Sequence, residues 1–558
     1  MALSRGERRG LALLLAAAGL VRWLAWARSA TLFNDGPRFL ALAQALGAGA
    51  WGPALRAGYH PLYPLATLAL HGFGVDWETA GAWVSIAGGV ASVGLLFLFL
   101  RDAFGAPAAW AGAALLAVHS RAIDYTSDVQ SDGLYAALFL AGVWLGWRAL
   151  RARSPRLAAA AGLATGLAYA TRPEGLELAV VLALVAAIEV ARGPWVSEAL
   201  GRFPALDAAR WLAALGAGVA VIALPYVVAL DRATGGWALT PKRLAASAAA
   251  PLAPAAAPAA APAPPRAEAP AWSAYLEPPP AESIDPDALV VDENDDGKAV
   301  VIARTLPARV YAAAKMLART AKSSMRYGVL ALVALGLAAS RGRPGPRGRF
   351  LAALLTTHFA LLFAFTLSIG YVSRRHTLPP LLPLLGYAGL GAAAAGTWIE
   401  QRLRALGGGG SSPEAAAVPR WGVAATLLVA AVATGELARQ IPARRADELA
   451  GRRAAEWLRE HAPVRGPVAA TRLRLGYYAG MPYVPLTGVA DAALGPYLAR
   501  AGARYVVVET PERAAAIEGS PELGARPLRY VEAGPGRAWV FEIPEETRGR
   551  VGSAPTPR

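Results

Sequence analysis

The chain is 558 residues long and 55% hydrophobic, with 55 Lys+Arg against 39 Asp+Glu and no cysteine. Its mean hydropathy of +0.36 is too apolar for one soluble domain, since runs of ~18 or more nearly uncharged residues recur, each long enough to cross a bilayer as a helix. A formal charge of +16 would suggest nucleic acid in a soluble protein, but the arginines sit in short loops between apolar runs, so no nucleic-acid partner is expected; the missing cysteine excludes disulfides, thiolate metal sites and cysteine nucleophiles.

Met1–Arg9 is basic, and residues 11–28 are long, contain Arg22 and lack a small-residue cleavage site. They read as a retained first span rather than a cleaved signal peptide. Directly after it comes Asn34-Asp35-Gly36-Pro37-Arg38-Phe39. A carboxylate just outside a membrane, with an arginine close behind, suits an enzyme that removes a proton from an acceptor and handles an anionic lipid. The plainer reading of Asp35 is a solvated boundary residue or a helix N-cap. Arg38, Phe39, Leu40, Leu42 and Leu46 then suit a short amphipathic helix along the membrane surface. Tyr59-His60-Pro61-Leu62-Tyr63-Pro64 comes next as a rigid aromatic corner, so residues 29–78 read as an ordered outer loop, a lid more than a connector.

Further spans are expected at 79–100, 106–119, 132–149, 157–170, 174–191, 211–230, 326–340, 350–368, 378–398 and 421–437, about eleven with the first. With a cytoplasmic N-terminus, Arg148, Arg151, Arg153, Arg156, Arg192, Arg202, Arg210, Arg341, Arg343, Arg347, Arg349, Arg402 and Arg404 all fall inside. The opposite face receives 29–78, 120–131, 171–173, 231–325, 369–377 and everything after about 438. The expected fold is therefore a polytopic α-helical membrane protein, residues 1–437, with a small extracytoplasmic α/β domain over 438–545 and a disordered tail, 546–558. In that domain Ala446–His461 and Asp491–Ala501 read as helices, and Val468–Thr471, Tyr505–Glu509, Leu528–Val531 and Ala538–Ile543 as strands.

The second outer loop carries Asp124, Asp128 and Asp132. Asp132, or Ser131 before it, reads as a helix N-cap. Asp124 and Asp128 are the better candidates for acceptor binding, or for a divalent cation shared with Asp35, although spacing alone establishes no metal site. Arg172, beside Glu174, and Ser373-Arg374-Arg375-His376 are basic on the outer face. Arginine matches phosphate with paired donors, the alternative being headgroup anchoring. Within 231–325, Lys242 and Arg243 are weaker candidates, and 245–272 is an Ala/Pro spacer. Asp292–Gly297 begins like a calcium loop, but Ala303 stands where a glutamate is needed, so it reads as an acidic turn. Residues 407–413 read as a linker. No Gly-rich phosphate loop or hydrolase elbow is present, so no nucleotide sugar is expected.

Asp35-Gly-Pro-Arg38-Phe39, then His60-Pro61-Leu62-Tyr63-Pro64, and the order of the later loops and spans resemble membrane glycosyltransferases of the GT-C fold. The nearest kin are bacterial relatives of the protein O-mannosyltransferases and the lipid A aminoarabinose transferases, over roughly residues 10–400. That family usually has an acidic pair in the first outer loop; here Gly36 stands in place of the second acid. The resemblance implies a bacterial inner-membrane enzyme. It would move a sugar, with inversion, from a polyprenyl-phosphate donor to an extracytoplasmic lipid, glycan or protein. Asp35 would be the general base. Arg374 and Arg375, with Arg172 and neighbouring His376, would bind the leaving phosphate. Arg38 would hold Asp35 ionised or touch the donor, while His60 and Tyr63 shape the lid. Two other classes stay open: a transporter or lipid flippase, which should carry charges near mid-membrane, and an inactive envelope-assembly scaffold, for which Asp35 is dispensable.

Overall fold

The computed structural model describes residues 3–197, 201–240, 275, 298–300, 305–340, 345–369, 371–406, 421–486, 489, 491 and 494–547. The Ala/Pro spacer, Lys242, Arg243, the acidic turn and the 407–413 linker lie outside them. Each expected span coincides with a helix: Arg5–Ala27, Trp77–Phe104, Ala106–Val118, Asp132–Ala152, Pro155–Thr171, Glu177–Arg192, Ala205–Thr234, Tyr327–Ala339, Pro346–Ile369, Leu385–Leu406 and Val423–Ala438. Among the described residues six stretches are long and apolar enough to cross a membrane; the last is Arg374–Leu406, in which a short helix runs into Leu385–Leu406. Others are shorter, as with the 13 residues of Ala106–Val118, which at ~1.5 Å per residue fall short of a ~30 Å hydrocarbon core.

Small residues let these helices approach closely. A Cβ on Gly133 would lie 2.2 Å from the Ser85 carbonyl oxygen, and one on Gly391 1.9 Å from that of Leu332. Arg22, fully buried in the first helix, donates from Nε to Thr126 Oγ1 at 2.8 Å and from Nη1 to the Ala117 carbonyl at 3.0 Å. It thereby satisfies the end of helix Ala106–Val118, whose last carbonyls have no partner within their own helix.

Two short strands, β1 (Lys298–Val300) and β2 (Tyr371–Ser373), pair antiparallel. The C-terminal domain holds β3 (Val468–Ala470), β4 (Tyr483–Pro485), β5 (Tyr505–Val508), β6 (Arg526–Ala533) and β7 (Gly536–Glu542), in the order β4-β3-β5-β7-β6. β3, β4 and β5 run parallel, while β7 is antiparallel to β5 and β6. Alternation along β5 sends Tyr505 and Val507 to one face and Val506 and Val508 to the other, so the strand is buried on both sides. The first face packs on helix Leu449–His461 through Ala454, Ala455 and Leu458, and the same cluster continues into Leu32, Phe39 and Leu40 of the first outer loop. The domain core is thus continuous with the segment that carries Asp35. Helices Leu473–Ala479 and Pro511–Glu518 and strand β4 were not expected from the sequence, and Glu545–Thr547 forms a 3-10 turn where the disordered tail was expected to begin.

The close crossing at Gly391 yields a test. Gly391→Leu should overpack it by about 1–3 kcal/mol and lower the Tm of the detergent-solubilised chain by several degrees. Gly216→Leu, with nothing within 4 Å of its Cβ, should leave Tm within about a degree of the parent.

Candidate active site

Five chain segments meet at one end of the helix bundle. They are the N-terminal end of helix Gly36–Gly47, the corner before helix Leu62–His71, the start of Asp132–Ala152, the end of Pro155–Thr171 and the start of Arg374–Leu381. Between them lies a small cleft lined by Asp35, Tyr59, His60, Arg172, Arg375 and His376, among others.

Asp35 occupies the N-cap position of its helix, yet its side chain makes no capping bond. Instead Arg375 Nη2 donates to Oδ2 at 2.8 Å, and the Tyr59 hydroxyl to Oδ1 at 3.3 Å. The carboxylate is thus turned into the cleft, where it is 7% exposed. Arg38 reaches it indirectly, its Nη1 donating to the Tyr59 oxygen at 3.4 Å. Burial, helped by the Asp35 carboxylate, pushes the Tyr59 phenol up to about 12, so it stays a protonated donor at any working pH.

Arg375 also lies 3.7 Å from Asp132 Oδ2, with its guanidinium stacked over Phe33 at 5.1 Å from the ring centre. Arg172 closes the other side, bonded to Asp132 Oδ1 at 2.5 Å and Glu174 at 3.4 Å, over the face of Tyr135. His376 Nδ1 accepts the Ser373 N–H, so its proton sits on Nε2, 3.5 Å from Glu174. Behind it the buried His358 donates from Nε2 to the His376 carbonyl at 3.0 Å and pairs through Nδ1 with Glu177 at 2.5 Å, bracing the backbone that bears Arg375. His60 stands at the rim, its ring against Tyr169 and Tyr226 and its Nε2 3.4 Å from Thr240 Oγ1.

Four expected site residues lie elsewhere. Tyr63 is buried beneath the lid, its hydroxyl donating to the Gly81 carbonyl at 2.8 Å, because helix Leu62–His71 turns that face inward. Asp128 is wholly buried, accepting the Phe33 and Val129 N–H groups and bonding Arg445, so it is held by the C-terminal domain and does not face an acceptor. Asp124 pairs with Arg121 at 3.7 Å and Arg444 at 3.6 Å, away from the cleft. Arg374 turns toward Ser323, donating from Nε at 2.9 Å. Asp35, Asp124 and Asp128 do not gather, and among the described residues no three His, Asp or Glu side chains converge as metal ligands. The residue that joins the site in their place is Asp132, which the N-cap reading set aside; Ser131 takes that position, and Asp132 bridges Arg172 and Arg375.

A bundle of membrane-length helices whose ends gather carboxylates and paired guanidinium groups, beside a C-terminal α/β domain, is the architecture of a GT-C fold protein. Residues 61–223 match the family model of dolichyl-phosphate-mannose-protein mannosyltransferase, a span that includes Asp132 and Arg172 and leaves Asp35 and Arg375 outside. The whole chain is similar in fold to ArnT from Cupriavidus metallidurans bound to undecaprenyl phosphate, at 13% identity and a TM-score of 0.54, covering 96% of this chain and 98% of that one. It also aligns with the apo ArnT of that organism (15% identity, 97% and 99% covered, TM-score 0.49). A third alignment is with the arabinofuranosyltransferase AftD from Mycobacteria (16% identity, 98% and 42% covered, TM-score 0.49). No curated protein matches the sequence.

The geometry separates the neighbouring arginines. Arg375→Ala should weaken binding of added inorganic phosphate by about 10- to 100-fold, the loss of a charge-assisted hydrogen bond. Arg374→Ala, which removes a bond to Ser323, should change it less than about threefold. Titration calorimetry of the detergent-solubilised chain reads both.

Proposed function

We propose that the chain is a glycosyltransferase that takes a sugar from a polyprenyl-phosphate carrier and delivers it to an acceptor outside the cytoplasm. The observation that carries this reading is the Asp35 carboxylate in one cleft with Arg375 and Arg172, at the ends of membrane-length helices. A base and a phosphate-binding pair are the two parts that displacement at an anomeric carbon needs.

Before donor binds, Arg375 is shared between Asp35 and Asp132. A donor phosphate entering beside it competes for the same N–H groups, drawing Arg375 off Asp35 toward the leaving oxygen. Asp35, still held by Tyr59, then accepts the acceptor hydroxyl's proton as that oxygen attacks the anomeric carbon. The bond from carbon to phosphate oxygen breaks, and Arg375 and Arg172 neutralise the charge left on the phosphate. Attack opposite the leaving group inverts the anomeric centre. An apolar groove between helices Leu306–Met325 and Pro346–Ile369, lined by Leu317, Ala321, Phe359 and Phe363, suits the polyprenyl tail. The N-terminus would face the cytoplasm of a bacterial inner membrane, as the arginine-rich loops favour. The sugar and the acceptor stay unassigned.

Transport has less support. Two of the charges buried within helices satisfy neighbouring backbone: Arg22 caps a helix end, and Glu189 accepts the Trp195 and Ser197 N–H groups. A carrier would instead present them to a midplane cavity.

The test is transfer from a radiolabelled polyprenyl-phosphate sugar to extracted envelope material in proteoliposomes. Asp35→Asn should lower kcat by about 10²- to 10⁴-fold while donor affinity stays near the parent value. Equal transfer by both proteins would remove Asp35 from the mechanism. Movement of labelled lipid across the bilayer with no transfer would favour a flippase.

A further inference from the structure

Residues 30–33 lead from the first helix into Asp35, and their backbone is held almost entirely from the C-terminal domain. The Ala30 N–H donates to the Arg444 carbonyl at 3.0 Å, and Arg452 Nη1 donates to the Ala30 carbonyl at 2.9 Å. Arg445 Nε donates to the Thr31 carbonyl at 3.0 Å, while the Thr31 hydroxyl donates to Glu448 at 2.6 Å. The Leu32 N–H donates to the Tyr478 oxygen at 2.8 Å, and the Leu32 carbonyl accepts from Arg474 Nη1 at 2.9 Å. Phe33 donates to Asp128 Oδ1 at 3.1 Å, and the other Asp128 oxygen bonds Arg445.

A segment with no helix or sheet of its own has its path set by whatever pairs its N–H and C=O groups. Here the partners lie more than 400 residues further along the chain, with 446 residues between Leu32 and Tyr478. Arg445 is the hub. Its backbone is left-handed, φ 53° and ψ 37°, a conformation that brings Cβ too close to the following carbonyl oxygen and is unfavourable for a non-glycine residue. Strain of that kind persists where surrounding contacts over-determine it. In this conformation one guanidinium reaches both the Thr31 carbonyl and Asp128, closing a clamp around residues 31–33.

We propose that the C-terminal domain sets the position of Asp35, with Arg445 as the positioning residue that clamps residues 31–33 against Asp128. Asp35's role as base rests on the transfer reaction proposed above; the clamp itself does not. Arg375 touches the clamped segment through Asp35 and Phe33, but Arg172, Asp132 and Glu174 are tied together by their own ion pairs, and the pairing with Asp132 keeps Arg375 on the anion-binding side when the clamp opens.

Arg445→Asn tests this in the full chain in nanodiscs, since asparagine tolerates the left-handed backbone and removes only the guanidinium. Hydrogen exchange of peptides covering 29–35 should accelerate tenfold or more. The Kd for undecaprenyl phosphate should stay within threefold. In the transfer assay kcat should fall at least tenfold with KM for the donor unchanged. Arg445→Lys should restore part of the protection, and Asp128→Asn combined with Arg445→Asn should do little more than either alone. Unchanged exchange in 29–35, or a tenfold loss of undecaprenyl phosphate binding, overturns the proposal. Should the parent chain transfer no sugar while Arg445→Asn still frees 29–35, the glycosyltransferase reading fails and the clamp stands. Should Arg445→Asn not fold, Arg445→Lys and Asp128→Asn, read by the same exchange measurement, decide it.

Discussion

Arg375 is the group on which the cleft depends. One guanidinium spans two carboxylates, Asp35 and Asp132, that come from the first outer loop and the second. Neither carboxylate is accessible enough to be paired by water, and burying an unpaired charge costs several kcal/mol. Arg375 therefore does structural work before any ligand arrives and is also the best-placed donor for an incoming anion. The two duties conflict, and the conflict is useful. In the proposed reaction an anion that enters must replace what it takes from the carboxylates, which would make entry of the ligand and release of Asp35 one event.

The helices were legible because burial in a bilayer leaves a plain trace in sequence: an unbroken apolar run bounded by arginines. Each such run is a helix, although several are short. An unbroken apolar run, Tyr505–Val508, made β5 readable, whereas three-residue strands such as β4 are too short to show a pattern. At the cleft, Asp35, Arg172 and Arg375 were visible as charges at the ends of apolar runs, each with a plainer reading beside it: a boundary residue or N-cap, a partner of Glu174, a headgroup anchor. Asp128 and Asp132 were misassigned relative to one another because, in an acidic loop, local spacing cannot say which carboxylate meets which distant arginine. Arg445 and Arg474 supply that answer for the C-terminal side, and nothing in the residues around them marks them as partners of residues 31 and 32.

The arginine bias of the chain, which has only four lysines, acquires a physical use in the structure. Arg22, Arg153, Arg445 and Arg474 all donate to backbone carbonyls while also meeting a side chain. A planar fork of five N–H donors can do both at once; an ammonium is a compact point charge that does so poorly. Helix ends and loop crossings that would otherwise bury unpaired carbonyls are closed this way.

The clamp on residues 30–33 has a consequence for how the protein comes into being. The segment leaves the ribosome more than 400 residues before its partners, from Arg444 to Tyr478. Arg375, which completes the cleft, is 340 residues downstream of Asp35. Contacts of such long sequence separation are the costliest to close and form late. Membrane insertion of the helices can therefore run to completion with the cleft still open, and the segment before Asp35 is held only once residues 444–478 have been made. A chain cut short before residue 444 would have its helices in place and that segment without its partners.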